Sequence, residues 1–477
     1  LSQNAHPQAS SGSTASFPLR QVLLGLVAVI VYLILANLPT PAGLSPEGQK
    51  ALAYMVAAVI LWVTEVIPIG VSAMLLALGL PLLKIVPTPS AMGNFMIPTV
   101  IFVFSAFIMA ITFMKTGLGE RLSLNVATLF GNRSDRVILS FMLTTSIVSM
   151  VLADIPTAVM MAGIAYPMLQ KNNCTPGKSN FGKAIMLGIS VACSIGGIGT
   201  PAGSGMNVLA LSLLKANAQL EVSFLQWSVV GIPVALILTF AAWWILVKWF
   251  KPEFETVAGL DDIASRRAAL GGLSSAEKKF MVIFGITLLL WFTQTWNKLD
   301  LPTVAILTVT VFFLPGINLV NWDDVKGKIG WDVLLLIGAA NTLAYSLTST
   351  KAAGWLATSL LGGMSSVGVV AALAAAIAFG IFFHLVVPVG SAFLAVTVPV
   401  LALMATNLGM NPALLVIPIG FTASCVFLMP LDPNMLTTYN YKYWSFTDAM
   451  KPGFFISLVW LVVLTIAMYI AQAVGVF

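Results

Sequence analysis

Apolar runs of helical length fill this chain and constrain its fold more than any other feature. They fall near 19–38, 49–66, 68–84, 97–116, 184–214, 227–249, 279–296, 301–317, 332–350, 413–440 and 453–475, eleven in all. A helix needs about 20 apolar residues to cross a bilayer core. Hydrophobic residues make up 59% of the chain and charged ones 8%, against ~25% charged in soluble domains. Such a chain cannot cover a water-soluble surface. A soluble enzyme, a nucleic-acid-binding protein and a disordered chain are excluded. The runs are continuous rather than alternating, which argues against a β-barrel. The expected class is an all-α polytopic membrane protein.

Four interruptions refine that expectation. Segments 136–170 and 367–405 are apolar but broken in the middle by Pro, Gly or Asp, and each reads as a re-entrant hairpin. Two spans are broken at Pro201-Ala-Gly-Ser-Gly205 and Pro430-Leu-Asp-Pro433. With the N-terminus inside and each hairpin returning to its own side, 18 of the 23 Lys and Arg residues fall on the inside. That asymmetry supports a cytoplasmic N-terminus and an external C-terminus. The net charge of +6 reflects this orientation and not a nucleic-acid partner.

The chain also repeats itself. Span, amphipathic piece, hairpin, broken span and span occur at 97–250 and again at 332–477, starting on opposite sides, so the repeats are inverted. Residues 19–96 and 279–331 supply scaffold helices, 251–278 a cytoplasmic linker, and 1–18 a disordered tail without signal-peptide character. Inverted repeats with broken helices are a transporter signature. Irregular backbone at membrane depth survives only when buried in protein or lining a cavity. The stretches at 153–157, 201–206, 388–391 and 430–434 are therefore expected to meet near the membrane midplane.

The polar residues at these breaks carry the chemistry. Asp154, beside Pro156 and Thr157, is an intramembrane acid, read as a cation ligand or proton carrier. The alternative is a cap on the hairpin tip. Gly196 to Asn207 holds five glycines within ten residues, with Asn207 placed to cap the second half-helix or bind ligand. Small-residue helix packing accounts for Gly196 and Gly197 but not for the Pro-Gly-Ser-Gly break. Gly390 and Ser391 form the second tip, behind His384, which either bonds a substrate carboxylate or a neighbouring helix. Asp432 and Asn434 mirror the first break. Glu65, before Pro68, is expected to bond the following helix N-terminus. The three cysteines lack metal-ligand spacing.

At these residues the chain resembles the divalent anion/sodium symporter family, whose members carry di- and tricarboxylates or sulfate. The likeness runs from Trp62-Val-Thr-Glu65-Val-Ile-Pro68 through Lys115-Thr-Gly-Leu-Gly-Glu-Arg121 and Gly203-Ser-Gly-Met-Asn207 to Met450-Lys-Pro-Gly453. It implies a homodimer with a scaffold and a moving transport domain that works as an elevator. The family's Ser-Asn-Thr motifs fall on Ala153-Asp154-Ile155 and Val389-Gly390-Ser391, so this member is divergent. The first family sodium site maps onto Ser149, Asp154 and Gly203, with Asp replacing Asn, and the second onto Leu385 and Gly390, a degraded site that Asp432 would have to rebuild. His384 resembles a His of the citrate and oxoglutarate exchanger branch.

The expected substrate contacts are Asp154, Pro156, Thr157, Ser204, Asn207, Gly390, Ser391, Asn434 and His384. The expected sodium ligands are Ser149, Asp154, Gly203, Asn207, Gly390 and Asp432. The function expected is sodium-coupled secondary transport of a small organic anion across the cell's inner (plasma) membrane. A proton-coupled carrier or an exchanger of carboxylates, sulfonates or sulfate is the alternative. A channel would need a charged ring or a continuous polar path, and an enzyme a nucleophile–base set or metal ligands. Neither pattern is present.

Overall fold

The computed structural model describes residues 19–127, 131–152, 154–361, 368–387, 389–429 and 432–477. The tail 1–18 and positions Ala153, Pro388, Pro430 and Leu431 lie outside the described residues. The described chain is helical, and its one β feature is an isolated antiparallel bridge between Arg133 and Thr256.

The first four helices are α1 (Leu19–Asn37), α2 (Pro46–Thr64), α3 (Ile69–Leu82) and α4 (Thr88–Phe95). The first repeat follows as α5 (Pro98–Thr116), α6 (Leu118–Ala127), α7 (Ser134–Ser149), α8 (Asp154–Lys171), α9 (Asn180–Gly197), α10 (Gly205–Ala218) and α11 (Phe224–Trp249). A single 3-10 turn, Pro201–Gly203, separates α9 from α10. The middle of the chain holds α12 (Leu260–Ala269), α13 (Ser275–Phe292), α14 (Gln294–Asn297), α15 (Leu301–Phe313) and α16 (Trp322–Val325). The same succession as in the first repeat then returns: α17 (Trp331–Ser349), α18 (Ala352–Leu361), α19 (Val369–Val386), α20 (Gly390–Asn407), α21 (Ala413–Thr422), α22 (Pro433–Tyr439) and α23 (Phe446–Ala473).

Local sequence explains where these helices start. Ser45 accepts from Gly48 N ahead of α2, whose first residue is Pro46. Ser223/Gln226, Ser274/Glu277 and Ser445/Asp448 form reciprocal capping boxes on α11, α13 and α23. Each box satisfies N–H groups that a helix start leaves unpaired. By length and composition six helical stretches can cross a membrane, and the 75° bend between α17 and α18 gives a seventh candidate.

Packing sets the site. α9 lies against α7, α8 and α11, and α10 against α20 and α21. The two repeats are interleaved: α8 and α9 of the first pack on α22 of the second, while α20 of the second packs on α10 of the first. α11 and α23 lie side by side behind them, and α3, α4 and α17 form a separate cluster that reaches α20.

One sequence expectation is corrected here. Glu65 is exposed and closes α2 in a left-handed conformation (φ 46°). The N-terminus of α3 is bonded instead by Asp332 from α17, whose Oδ1 accepts from Gly70 N at 3.1 Å.

Candidate ion and substrate site

The first hairpin turns between Ser149 and Asp154. An acid at the start of α8 is favoured by the helix dipole. Pro156 is tolerated because first-turn N–H groups have no intrahelical acceptor. Ser149 Oγ lies 2.5 Å from Asp154 Oδ1 and 2.9 Å from the Cys193 carbonyl. The Cys193 thiol donates back to the Asp154 main-chain carbonyl at 2.9 Å. The last turns of α9 thus grip both ends of the hairpin turn. Thr157 is buried one turn into α8.

The break after α9 wraps the same carboxylate. A Cβ on Gly197 would stand 2.6 Å from Asp154 Oδ1 and 3.0 Å from Oδ2. Gly197 is therefore required by the acid, not only by helix packing. Gly196 does follow the packing reading, since a Cβ there would meet the Ser146 backbone, with Cα at 2.6 Å. Gly203 is pressed against the carbonyl oxygens of Gly197 and Ser149. Ser204, not Asn207, caps α10, accepting from Met206 N at 3.3 Å. The Asn207 amide instead donates to the carbonyls of Gly197 at 2.7 Å and Thr200 at 2.8 Å. Its Oδ1 is left buried with no protein partner.

The second repeat closes the cluster. The Asn434 side chain and Asp432 both lie close enough to the Asp154 carboxylate to act on it. Asp432 Oδ1 accepts from Asn434 N at 2.8 Å and so caps α22. Ser190 of α9 donates to the Asn434 carbonyl at 3.1 Å and meets Thr438 Oγ1 at 2.6 Å.

At the second tip, α20 starts at Gly390 without a side-chain cap. A Cβ on Gly390 would lie 3.2 Å from Met206 Sδ and 3.3 Å from the Ala423 carbonyl. Ser391 Oγ is buried without a partner. His384 is stacked on Phe393 (centroids 4.7 Å apart), with Nδ1 2.9 Å from the Val387 carbonyl and Nε2 3.0 Å from that of Ala423. Both ring nitrogens thus face the main chain, the neighbouring-helix outcome of the two weighed from sequence.

The structure therefore sets Ser149 and Gly197 against the Asp154 carboxylate with Asn434 near it, packs Gly203 and Asn207 on the adjoining Gly197 carbonyl, and sets Gly390 against Met206 beside the first break. Sequence reasoning missed Cys193, Ser190 and Thr438. A lone Cys on an apolar helix carries no pattern, but Ser190, Cys193 and Gly197 recur at three- and four-residue steps, a small-residue stripe that marks one helix face. Chemically, the Asp154 carboxylate, Ser149 Oγ, Asn207 Oδ1 and crowded carbonyls offer hard oxygen ligands. The N-termini of α8, α10 and α20 offer N–H groups to an anion.

The interrupted helix pairs α9/α10 and α21/α22 pack crosswise on α7/α8 and α19/α20 around a half-buried acid, an arrangement that suits a membrane transporter. The chain matches the sodium:sulfate symporter transmembrane region over residues 20–475 and belongs to that family. It is 25% identical to the sodium-dependent dicarboxylate transporter SdcS of Staphylococcus saprophyticus, covering 94% of this chain and 91% of that one. It is 26% identical to SdcS of Staphylococcus aureus, covering 94% and 90%. The YdaH transporter of Alcanivorax borkumensis shares the fold, with a TM-score of 0.56 at 13% identity over 96% of this chain and 98% of that one.

Proposed function

We propose that this protein is a sodium-coupled secondary transporter of small organic anions of the di- and tricarboxylate type. The observation that carries the reading is the Asp154 cluster: a half-buried carboxylate with Ser149 Oγ at 2.5 Å, walled by Gly197, whose carbonyl holds the Asn207 amide and leaves Asn207 Oδ1 without a partner. Such a carboxylate is costly in a half-dry site until a cation neutralises it. An anion would be repelled until then, so sodium binds first and coupling is tight. Gly203 and Gly390 allow close backbone approach, and Asp432 adds a second acid on the cation side. Pro156, Thr157, Ser204, Ser391 and Asn434 line the anion side, with His384 holding the second tip to α21. The names of the SdcS relatives support both the ion and the substrate class.

On this reading α7/α8 and α19/α20 are re-entrant hairpins within eleven spans and two inverted repeats. The N-terminus is cytoplasmic, and the site moves across the plasma membrane by an elevator motion. The protein works as a homodimer through scaffold surfaces near 68–116 and 301–350. The exposed row Val71, Met74, Leu75 and Leu78 on α3 fits that role.

The test is uptake of radiolabelled succinate into proteoliposomes under an imposed sodium gradient. Uptake should collapse when potassium replaces sodium. Uptake that instead follows a pH gradient or an internal anion, with no sodium requirement, would assign the protein to the proton-coupled or exchanger class.

A further inference from the structure

α11 ends and α23 begins at the same edge of the molecule, where Trp249 and Phe455 touch with ring centroids 5.6 Å apart. Lys248 lies over the Trp244 ring, its Nζ 3.8 Å from the centroid. Residues four apart share a helix face, so Trp244 and Lys248 form one row on α11, and Lys451 and Phe455 another on α23. Lys251 follows two residues beyond α11. All three lysines are exposed, as are Trp244, Trp249 and Phe455. None of the three makes an ion pair among the described residues.

The nearby acids are committed elsewhere. Asp448 pairs with Lys183 at 2.9 Å, and Asp135 pairs with Arg133 at 3.0 Å. Glu253 accepts from the first N–H groups of α9, Asn180 N and Phe181 N. Glu253 and Glu255 are both exposed on the linker past this edge, and among the described residues Glu255 has no such side-chain partner. The result is an exposed lysine and indole patch at the adjoining ends of two helices long and apolar enough to cross a membrane. The indole N–H groups of Trp244 and Trp249 make no hydrogen bond among the described residues, so each has a donor to offer a phosphate.

We propose that this edge of α11 and α23 is a binding site for the headgroup of an anionic phospholipid. The lysines supply charge to the phosphate, the indoles donate to it, and Phe454 and Phe455 bury in the upper acyl region. Because α11 backs α7 and α9 while α23 backs α19, the lipid sits on the wall behind both hairpins.

Native mass spectrometry of the whole purified protein tests this, with phosphatidylglycerol and phosphatidylcholine added at equal concentration. Phosphatidylglycerol adducts should survive preferentially. The preference should fall about fivefold for each lysine removed in the series Lys248→Gln, Lys251→Gln and Lys451→Gln, while phosphatidylcholine adducts and the lipid-free melting temperature stay unchanged. If the triple variant does not fold, the wild type still decides. Exchange into phosphatidylglycerol nanodiscs should raise its melting temperature above that in phosphatidylcholine, and about 0.5 M salt should cancel the difference by screening. Equal retention of the two lipids, or a preference indifferent to lysine loss and to salt, overturns the proposal. So does a Trp249→Cys variant that cross-links to a second copy in membranes, since the patch would then be a protein interface.

Discussion

The Cys193 thiol donates to the main-chain carbonyl of Asp154 at 2.9 Å, while the Cys193 carbonyl receives the Ser149 hydroxyl at the same distance. One residue of α9 thus fastens both sides of the first hairpin turn. Cys193→Ala removes a buried donor, a loss of about 1–3 kcal/mol, and should raise the sodium concentration for half-maximal uptake. Cys193→Ser keeps a donor and should restore sodium affinity toward wild type. If alanine and serine variants show equal sodium affinity, the thiol bond does not shape the ion site.

Asp154→Asn tests the carboxylate itself. Hydrogen bonds to a charged group contribute about 1.5–3 kcal/mol, so sodium affinity should fall roughly 10- to 150-fold while the protein stays folded and monodisperse. Transport with unchanged sodium and pH dependence would show that Asp154 is only a cap on α8. Lost pH dependence with intact sodium dependence would mark it as a proton carrier.

The adjacent glycines should part company. Gly197→Ala pushes a methyl toward the Asp154 carboxylate, whose side chain can swing aside, so the variant should fold but bind sodium weakly. Gly196→Ala drives a methyl into the Ser146 backbone, which has nowhere to go. Overpacking of this kind costs about 1–3 kcal/mol, and the variant should lose melting temperature with sodium affinity unchanged in the folded fraction. Thermal melts with and without sodium read both effects.

Arg121 spends its donors on the linker side of the molecule. Its Nε bonds Glu277 Oε1 at 2.6 Å, and its other nitrogens reach Glu277 Oε2 and the carbonyls of Leu270, Gly271 and Gly272. The guanidinium holds the Glu277 carboxyl below the ordinary carboxylate range. A lowered folded value means stability that is full above the unfolded value and lost as pH falls through the folded one. The wild type should therefore hold this link at mildly acidic pH. Arg121→Gln leaves a buried carboxylate alone, a loss of about 3–5 kcal/mol, and should melt earlier at neutral pH than at pH 4. A pH-independent deficit would remove Glu277 from the explanation.

How far the sequence carried these conclusions depended on whether a residue's partner was near in chain or only in space. Asp154 was legible because a charge beside proline in an apolar run has few uses. The four breaks were legible because lipid cannot satisfy open backbone. Gly197 was read as packing because its neighbour, the Asp154 carboxylate, comes from another segment. Asp332 was overlooked for the same reason: Glu65 stood next to α3 in sequence, and the acid that bonds α3 came from α17. His384 has both nitrogens on main-chain carbonyls, an arrangement no spacing rule announces.

The crosswise packing of α8 and α9 on α22 bears on how the protein is made. Asn434, which completes the Asp154 cluster, leaves the ribosome about 280 residues after it, roughly 15–55 seconds later at ordinary synthesis rates. Through that interval the acid, the glycine-rich break and the polar face of α9 are in or near the bilayer without the segment that covers them. The insertion machinery must shelter half a binding site until its other half arrives. Truncation ahead of α22 should therefore yield not a smaller carrier but a chain marked for degradation.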